Sequence, residues 1–147
     1  MEIVQMNAAH VAQVAAIEKE CFGRESWSER SVAGELSNAL AFWLVAVDGD
    51  TVAGYVGSQT VCGETDMMNV AVTATYRRQG IAEKLVLALV EALKAQGSRC
   101  LTLEVRASNE PAKALYEKLG FVQIGRRPKY YQNPREDALI LRKEWEI

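Results

Sequence analysis

The stretch from Met67 to Leu85 constrains the fold of this chain more than any other. Asn69 to Thr73 is a short run rich in β-branched residues, the pattern of a buried strand. From Ile81 the period changes, and Ile81, Leu85, Ala88, Leu89, Ala92 and Leu93 recur at helical spacing. Between the two lies Arg77-Arg78-Gln79-Gly80-Ile81-Ala82, where the first helical turn leaves several N–H groups without partners. Those N–H groups and the positive end of the helix dipole form a ready anion site. Gly80 lets a phosphate approach the backbone with no Cβ in the way, and Ala82 is the next smallest choice. The hexapeptide alone reads equally well as an ordinary helix entry with solvated arginines.

The remaining segments arrange themselves around that unit. Ile3 to Met6 reads as a strand, and Asn7 as the N-cap of a helix carrying Val11, Val14, Ala15, Ile17 and Glu18. His10, in the first turn beside polar neighbours, is assigned no role. Ser28 caps a second helix through Leu36, with Trp27 either sealing the junction of the two helices or lining a substrate groove. Phe42 to Val47 and Thr51 to Thr60 read as strands joined by the hairpin signal Asp48-Gly49-Asp50. Cys62 to Asp66 reads as a second turn. After the helix from Gly80 to Ala95 come a strand over Arg99–Val105 and a helix from Asn109 to Leu119. A strand over Phe121–Gly125, a polar loop and a last strand over Ala138–Arg142 complete the chain. The expected fold is α/β with a mixed sheet, in one domain over residues 1–147.

Composition removes several function classes. A net charge of −2 with no basic stripe argues against nucleic-acid binding. No stretch reaches the ~18 apolar residues needed to span a bilayer, and the acidic, strand-like N-terminus does not resemble a signal peptide. Cys21, Cys62 and Cys100 are widely spaced, with only His10 as a possible companion, so neither a disulfide framework nor a metal site is expected. They read as reduced thiols of a cytoplasmic protein.

A second stretch, Leu101 to Phe121, carries the chemistry. Leu101, Leu103 and Val105 alternate with Thr102 and Glu104, so Glu104 projects from the C-terminal end of a strand, where open α/β sheets place ligands. Asn109 can cap the next helix, and Pro111 is tolerated in its first turn. Ala112, Leu115, Tyr116 and Leu119 share a stripe, which turns Tyr116 inward with a hydroxyl that needs a partner. Taken singly, Glu104 could be a solvated strand end and Tyr116 a core aromatic.

Taken together, the order of these motifs over nearly the whole chain resembles the GNAT superfamily of N-acetyltransferases. The resemblance rests on Arg77, Gly80 and Ala82 of the Gln/Arg-x-x-Gly-x-Gly/Ala motif, and on Asn109 with the Ala-x-x-Leu-Tyr helix. Leu103 to Asn109, Cys21-Phe22 with Trp27-Ser28, and the tail from Tyr130-Tyr131 through Ala138 are similar to the ribosomal-protein-alanine branch. That branch carries Pro before the tryptophan, where this chain has Ser26.

The resemblance implies a mostly antiparallel sheet, splayed at an acetyl-CoA site, with helices on both faces. It implies that backbone groups of Val70, Ala71 and Val72 hold the acetyl and pantetheine arm. N–H groups across Arg78, Gln79, Gly80, Ile81, Ala82 and Glu83 would cradle the pyrophosphate, and Asn109 would contact the pantetheine. An N–H near Val72 would stabilise the oxyanion, and Trp27, Tyr130 and Tyr131 are candidates for the peptide side. No metal and no covalent enzyme intermediate are implied. The implied partner is a protein N-terminus, that of an alanine-starting small-subunit ribosomal protein, with the enzyme a monomer or weak dimer.

Elementary chemistry then gives Glu104 and Tyr116 their expected roles. An attacking amine must lose a proton, which Glu104 can receive, and a departing thiolate needs one, which Tyr116 can supply. An α-amine with pKa near ~7.8 is roughly a tenth neutral at pH 7, against a few parts in ten thousand for a lysine near ~10.4. An N-terminal acceptor therefore asks less of the base. Acetylation of a small amine or a lysine, and a non-catalytic acyl-CoA-binding module, remain the alternatives.

Overall fold

A computed structural model describes residues 1–146. Seven strands form a sheet in the order β1-β2-β3-β4-β5-β7-β6. The strands are β1 (Glu2–Gln5), β2 (Ala41–Asp48), β3 (Thr51–Val61), β4 (Glu64–Val72), β5 (Cys100–Arg106), β6 (Val122–Tyr131) and β7 (Glu136–Glu144). Helices α1 (Val11–Phe22) and α2 (Glu29–Gly34) lie between β1 and β2, α3 (Ile81–Ala95) between β4 and β5, and α4 (Glu110–Lys118) between β5 and β6. Only β4 and β5 run parallel; every other neighbouring pair is antiparallel.

Apolar patterning puts a core on each face of the sheet. On one face, the stripe Ile81, Leu85, Val86, Leu89, Val90 and Leu93 of α3 packs with Leu101, Leu103 and Val105 of β5 and with Tyr116 and Phe121. Each such side chain contributes about 1.5–3 kcal/mol when fully buried. On the other face, Val11, Val14 and Ile17 of α1 and Val32 of α2 pack on Trp43, Val45, Tyr55 and Ala71. Gly57 is required there, because a Cβ at that position would sit 2.5 Å from the Trp43 ring.

Local signals account for most element boundaries. Asn7 and His10 close a reciprocal cap: the Asn7 side chain accepts from Ala9 N–H, and His10 Nδ1 accepts from Asn7 N–H. Ser28 Oγ accepts from Ser31 N–H at the start of α2, whose helical course passes into a 3-10 turn at Glu35–Ser37. The structure departs furthest from the sequence expectation in two places. The second turn is only Cys62-Gly63, and Glu64 to Asp66 already belong to β4, where they pair with β5. The polar segment after Gly125 is strand rather than loop as far as Tyr131, and β7 begins at Glu136. Its strand has an unpaired outer edge and solvent-exposed faces, so hydrophobic alternation never marks it.

Candidate active site

The parallel pair at the centre of the sheet comes apart. β4 and β5 pair at Glu64/Cys100, Thr65/Leu101 and Asp66/Thr102, and beyond these residues both strands continue without pairing to each other. On its other edge β4 stays in register with β3, except that Gly57 pairs with Asn69 while Ser58 pairs with Met67, so Met68 is bulged. The divergence opens a cavity of about 400 Å³ whose lining includes Met67, Asn69, Val70, Glu104, Asn109 and Tyr116. A second cavity, about 380 Å³, shares Met67, Met68, Asn69, Leu103, Glu104 and Tyr131 with it and extends to Trp27, Asp66, Arg127 and Tyr130.

The open edge of β4 has a definite polarity. Thr73 N–H donates to Ala53 O at 2.9 Å, which marks Thr73 and Ala53 as a hydrogen-bonded pair. Such pairs alternate along an antiparallel ladder, so Ala71 and Asn69 direct their N–H and C=O groups to β3, while Val70 and Val72 direct theirs to the gap. The carbonyl of Val72 is already taken by Arg77 Nε at 3.1 Å. Of the three residues expected along the pantetheine arm, Val70 and Val72 therefore face the gap, and the backbone of Ala71 does not.

At the end of β4 the chain turns into α3. Gly80 takes φ +73 as N-cap, Arg78 takes φ +65, and no side chain of the described residues caps the helix. Lys84 N–H is the first to find an intrahelical partner, Gly80 O, at 3.1 Å. Among the described residues the N–H groups of Ile81, Ala82 and Glu83 bond to nothing in the chain. Together with Arg78 and Gly80 they line a cavity of about 230 Å³ that also reaches Val72 and Leu115. Arg77 lines this cavity too, and its guanidinium is held by Glu20 at 3.3 Å and by the Val72 carbonyl. Asn109 is placed differently again. Its Oδ1 caps α4 by accepting from Ala112 N–H at 3.2 Å, which leaves its Nδ2 as a donor.

Glu104 and Tyr116 reach the first cavity from different elements. Tyr116 is 4% exposed and packs edge-on against Phe121 at 5.3 Å. Among the described residues its hydroxyl finds only Met67 Sδ, at 3.9 Å, a weak acceptor. Burial raises its pKa to about 12, so the phenol keeps its proton. One carboxylate oxygen of Glu104, Oε2, is buried without a hydrogen-bond donor among the described residues, while Arg127 Nε stands 3.4 Å away.

The peptide-side candidates gather round the same carboxylate. The charge of Glu104 is the main cause that raises the Tyr130 phenol, and it adds to burial in pushing Tyr131 up to about 12. Tyr131 is clasped by Arg106, whose guanidinium lies 4.5 Å from the ring centroid and also donates to Gln132 O and Pro134 O at 2.9 Å. Trp27 is the remaining candidate. It packs edge-on against Trp43 at 5.4 Å, and it lines the second cavity.

Sequence reasoning missed the Met68 bulge, Asn69, Arg106 and Arg127. A bulge is a property of two strands and leaves no mark on one. Arg106 and Arg127 lie on β5 and β6, and only the pairing of both strands with β7 brings them to the same groove. Among the described residues, no cluster of three or more His, Cys, Asp or Glu side chains could hold a metal ion. No described helix is long and apolar enough to cross a membrane.

Comparison with known proteins gives a consistent outcome. A family model described as the acetyltransferase (GNAT) family matches residues 11–121. A Bacillus subtilis (strain 168) protein provisionally named a ribosomal protein bS18-alanine N-acetyltransferase is 37% identical over 137 residues, covering 92% of this chain and 90% of that protein. An Escherichia coli (strain K12) protein named ribosomal protein bS18-alanine N-acetyltransferase is 38% identical over 117 residues, 78% of either chain. The crystal structure of the ribosomal-protein-S18-alanine N-acetyltransferase from Escherichia coli superposes with a TM-score of 0.91 at 31% identity, over 99% of this chain and 94% of that one.

Proposed function

Because this chain belongs to the acetyltransferase (GNAT) family, we propose that residues 1–147 form one acetyltransferase domain that moves acetyl from acetyl-CoA to the α-amine of an alanine-starting protein. The protein acceptor is a small-subunit ribosomal protein, the substrate class for which its relatives are named. The observation that carries the reading is that Glu104 and Tyr116, from β5 and α4, line one cavity where the sheet opens.

Acetyl-CoA is held at its pyrophosphate and along its pantetheine arm. The pyrophosphate takes the N–H groups from Arg78 to Glu83, with the helix dipole behind them. The pantetheine arm pairs with the edge of β4 at Val70 and Val72, and Asn109 donates to it from Nδ2. The acceptor chain lies along the groove bounded by Trp27, Tyr130 and Tyr131, with its N-terminus at Glu104.

The amine gives a proton to Glu104 and its nitrogen attacks the thioester carbonyl, forming the C–N bond. A single edge N–H of β4, at Val70 or Val72, stabilises the oxyanion, and the other is left to the pantetheine arm. Collapse breaks the C–S bond and leaves charge on sulfur, toward which the Tyr116 hydroxyl donates. With Tyr116 at about 12 and an ordinary thiol near ~8.5, complete transfer between them is uphill. The phenol therefore stabilises the leaving sulfur mainly as a hydrogen-bond donor, and the proton follows as the product departs.

The test is acetyl transfer to a short peptide with a free N-terminal alanine, beside an N-blocked lysine peptide and a polyamine. Acetylation confined to the free N-terminus is expected. Turnover of the lysine peptide or the polyamine instead would overturn the acceptor assignment.

A further inference from the structure

One buried charged group has no part in this mechanism. Glu18 of α1 is 0% exposed. Its carboxylate draws donors from three separate elements. Oε1 accepts from Trp27 N–H at 2.8 Å, and Oε2 accepts from the Tyr55 hydroxyl and from Asn69 Nδ2, the latter at 2.9 Å. A carboxylate buried this deeply persists only when its lone pairs are met, and these three donors meet them.

Asn69 is the member that reaches the site. It adjoins the Met68 bulge and lines both cavities, as Glu104 does. Because Glu18 accepts and cannot donate, the amide has only one suitable orientation: Nδ2 toward Glu18, leaving Oδ1 on the other prong. Among the described residues that oxygen accepts no hydrogen bond and is not buried. A free carboxamide oxygen on a residue that shares both cavities with Glu104, where an amine must lose a proton, has one evident partner.

We infer that Asn69 accepts a hydrogen bond from the attacking amine and aims its lone pair at the thioester, and that Glu18 is the positioning residue that fixes the orientation of Asn69. The inference rests on the reading of the site as an amine acetyltransferase. Glu104 takes the proton while Asn69 holds a second N–H of the same nitrogen, so the amine is bound at two points.

Glu18→Gln separates positioning from mere structure. The Trp27 N–H is fixed backbone and needs an oxygen, so the new amide places its oxygen there and its NH2 toward Tyr55 and Asn69. The tyrosine hydroxyl can rotate to accept. Asn69 can accept only by turning over, which brings Nδ2 round to face the incoming ammonium. Side-chain volume is conserved throughout.

The experiment is steady-state kinetics on the intact chain carrying Asn69→Ala, Glu18→Gln or both, with the alanine peptide and spermidine as acceptors and thermal unfolding recorded alongside. Each single variant is expected to lower acceptor kcat/KM by about 10- to 100-fold, the loss of a hydrogen bond to a charged group. The KM for acetyl-CoA is expected to stay within about twofold, because uniform binding of the donor is untouched. In the double variant, Glu18→Gln is expected to cost nothing beyond Asn69→Ala, as for residues acting through one contact. Additive losses, or an acceptor kcat/KM within about threefold of wild type in folded Asn69→Ala, would overturn the inference. If wild type acetylates spermidine and not the peptide, the N-terminal reading fails, and the same ratios on spermidine still decide the role of Asn69.

Discussion

The two edges of β4 have opposite fates. Toward β3 the strand is paired from Glu64 to Val72, interrupted only by the bulge at Met68. Toward β5 it is paired only from Glu64 to Asp66. Behind the closed edge, small residues of β3 let its neighbours approach: Gly57 lies under the Trp43 ring of β2, and a Cβ at Gly54 would come within 2.8 Å of Ala71 O on β4. On the open edge Met67, Met68, Leu103 and Glu104 stand between the strands. Backbone N–H and C=O groups in a folded interior are almost always paired. An edge left open in mid-sheet is thus stable only beside solvent or a ligand that supplies the missing strand. Packing governs one side of this strand and ligand binding the other, so substitutions on the two sides should fail in different ways.

The largest expected effect is on the open side. Glu104→Gln should lower kcat/KM for the alanine peptide by about 10²–10⁴-fold, the range of a lost general base. The melting temperature should change little, since the ion pair that is weakened, Arg127 Nε to Glu104 Oε2 at 3.4 Å, involves an arginine side chain that is 55% exposed. Tyr116→Phe should follow at about 10²–10³-fold, as for loss of a donor to developing charge. If either variant instead unfolds the protein with activity per folded molecule unchanged, the two edges do not differ as described.

The pH profile sharpens the same point. Burial raises the Tyr116 pKa to about 12, and a raised phenol keeps its proton until pH climbs to that value. The rate should therefore rise as the acceptor amine deprotonates around ~7.8 and show no falling limb from Tyr116 up to about pH 10. A descending limb near pH 9 that disappears in Tyr116→Phe would place the phenol in a wetter environment.

On the closed side, Gly57→Ala should fail by packing. Its Cβ would stand 2.5 Å from Trp43, whose ring stacks on Tyr55 and meets Trp27. Overpacking of this kind costs about 1–3 kcal/mol. Denaturant unfolding should show that loss, while the KM for acetyl-CoA on the other edge stays near wild type.

These contrasts were unequally legible in the amino-acid sequence. The switch from β-branched to helical periodicity around Gly80 and the alternation that sets Glu104 are local, and the structure has both. The inward turn of Tyr116 was equally readable, from the stripe that α4 buries. The outer strand β6 was not, since Arg126, Arg127, Pro128 and Lys129 are all exposed and carry no pattern. Contacts such as Glu18 to Asn69, 51 residues apart, exist only once α1 is laid on the sheet. A clue lay in the helix itself, where Glu18 continues the stripe of Val11, Val14 and Ile17. An acid within an apolar stripe must find donors, but the stripe does not say which ones.

Smaller effects belong to the mouth of the open side. Gly80→Ala keeps the turn only by holding alanine at φ +73, a left-handed conformation costing about 1–2 kcal/mol. The added Cβ meets nothing within 4 Å in the free protein, so any clash arises only with the bound phosphate. Isothermal titration should accordingly show acetyl-CoA binding weakened by more than the stability loss explains. Equal losses in both would reduce Gly80 to a turn residue.

The least effect is expected from Lys118→Ala. Lys118 Nζ lies 3.1 Å from Glu83 Oε1 and ties α4 to the first turn of α3, but its side chain is 67% exposed. An ion pair so open to water contributes about 0–1 kcal/mol and is screened by salt. Its removal should therefore leave the melting temperature nearly unchanged at about 0.15 M salt. The Glu83 carboxylate, released from its partner, stays beside the N–H groups proposed to take the pyrophosphate. Like charge there should weaken acetyl-CoA binding slightly at low salt, and the difference from wild type should vanish as salt rises. A large loss that persists at high salt would mean that Lys118 itself reaches the phosphate. The cradle would then be built from both helices rather than from the open end of β4 and the start of α3.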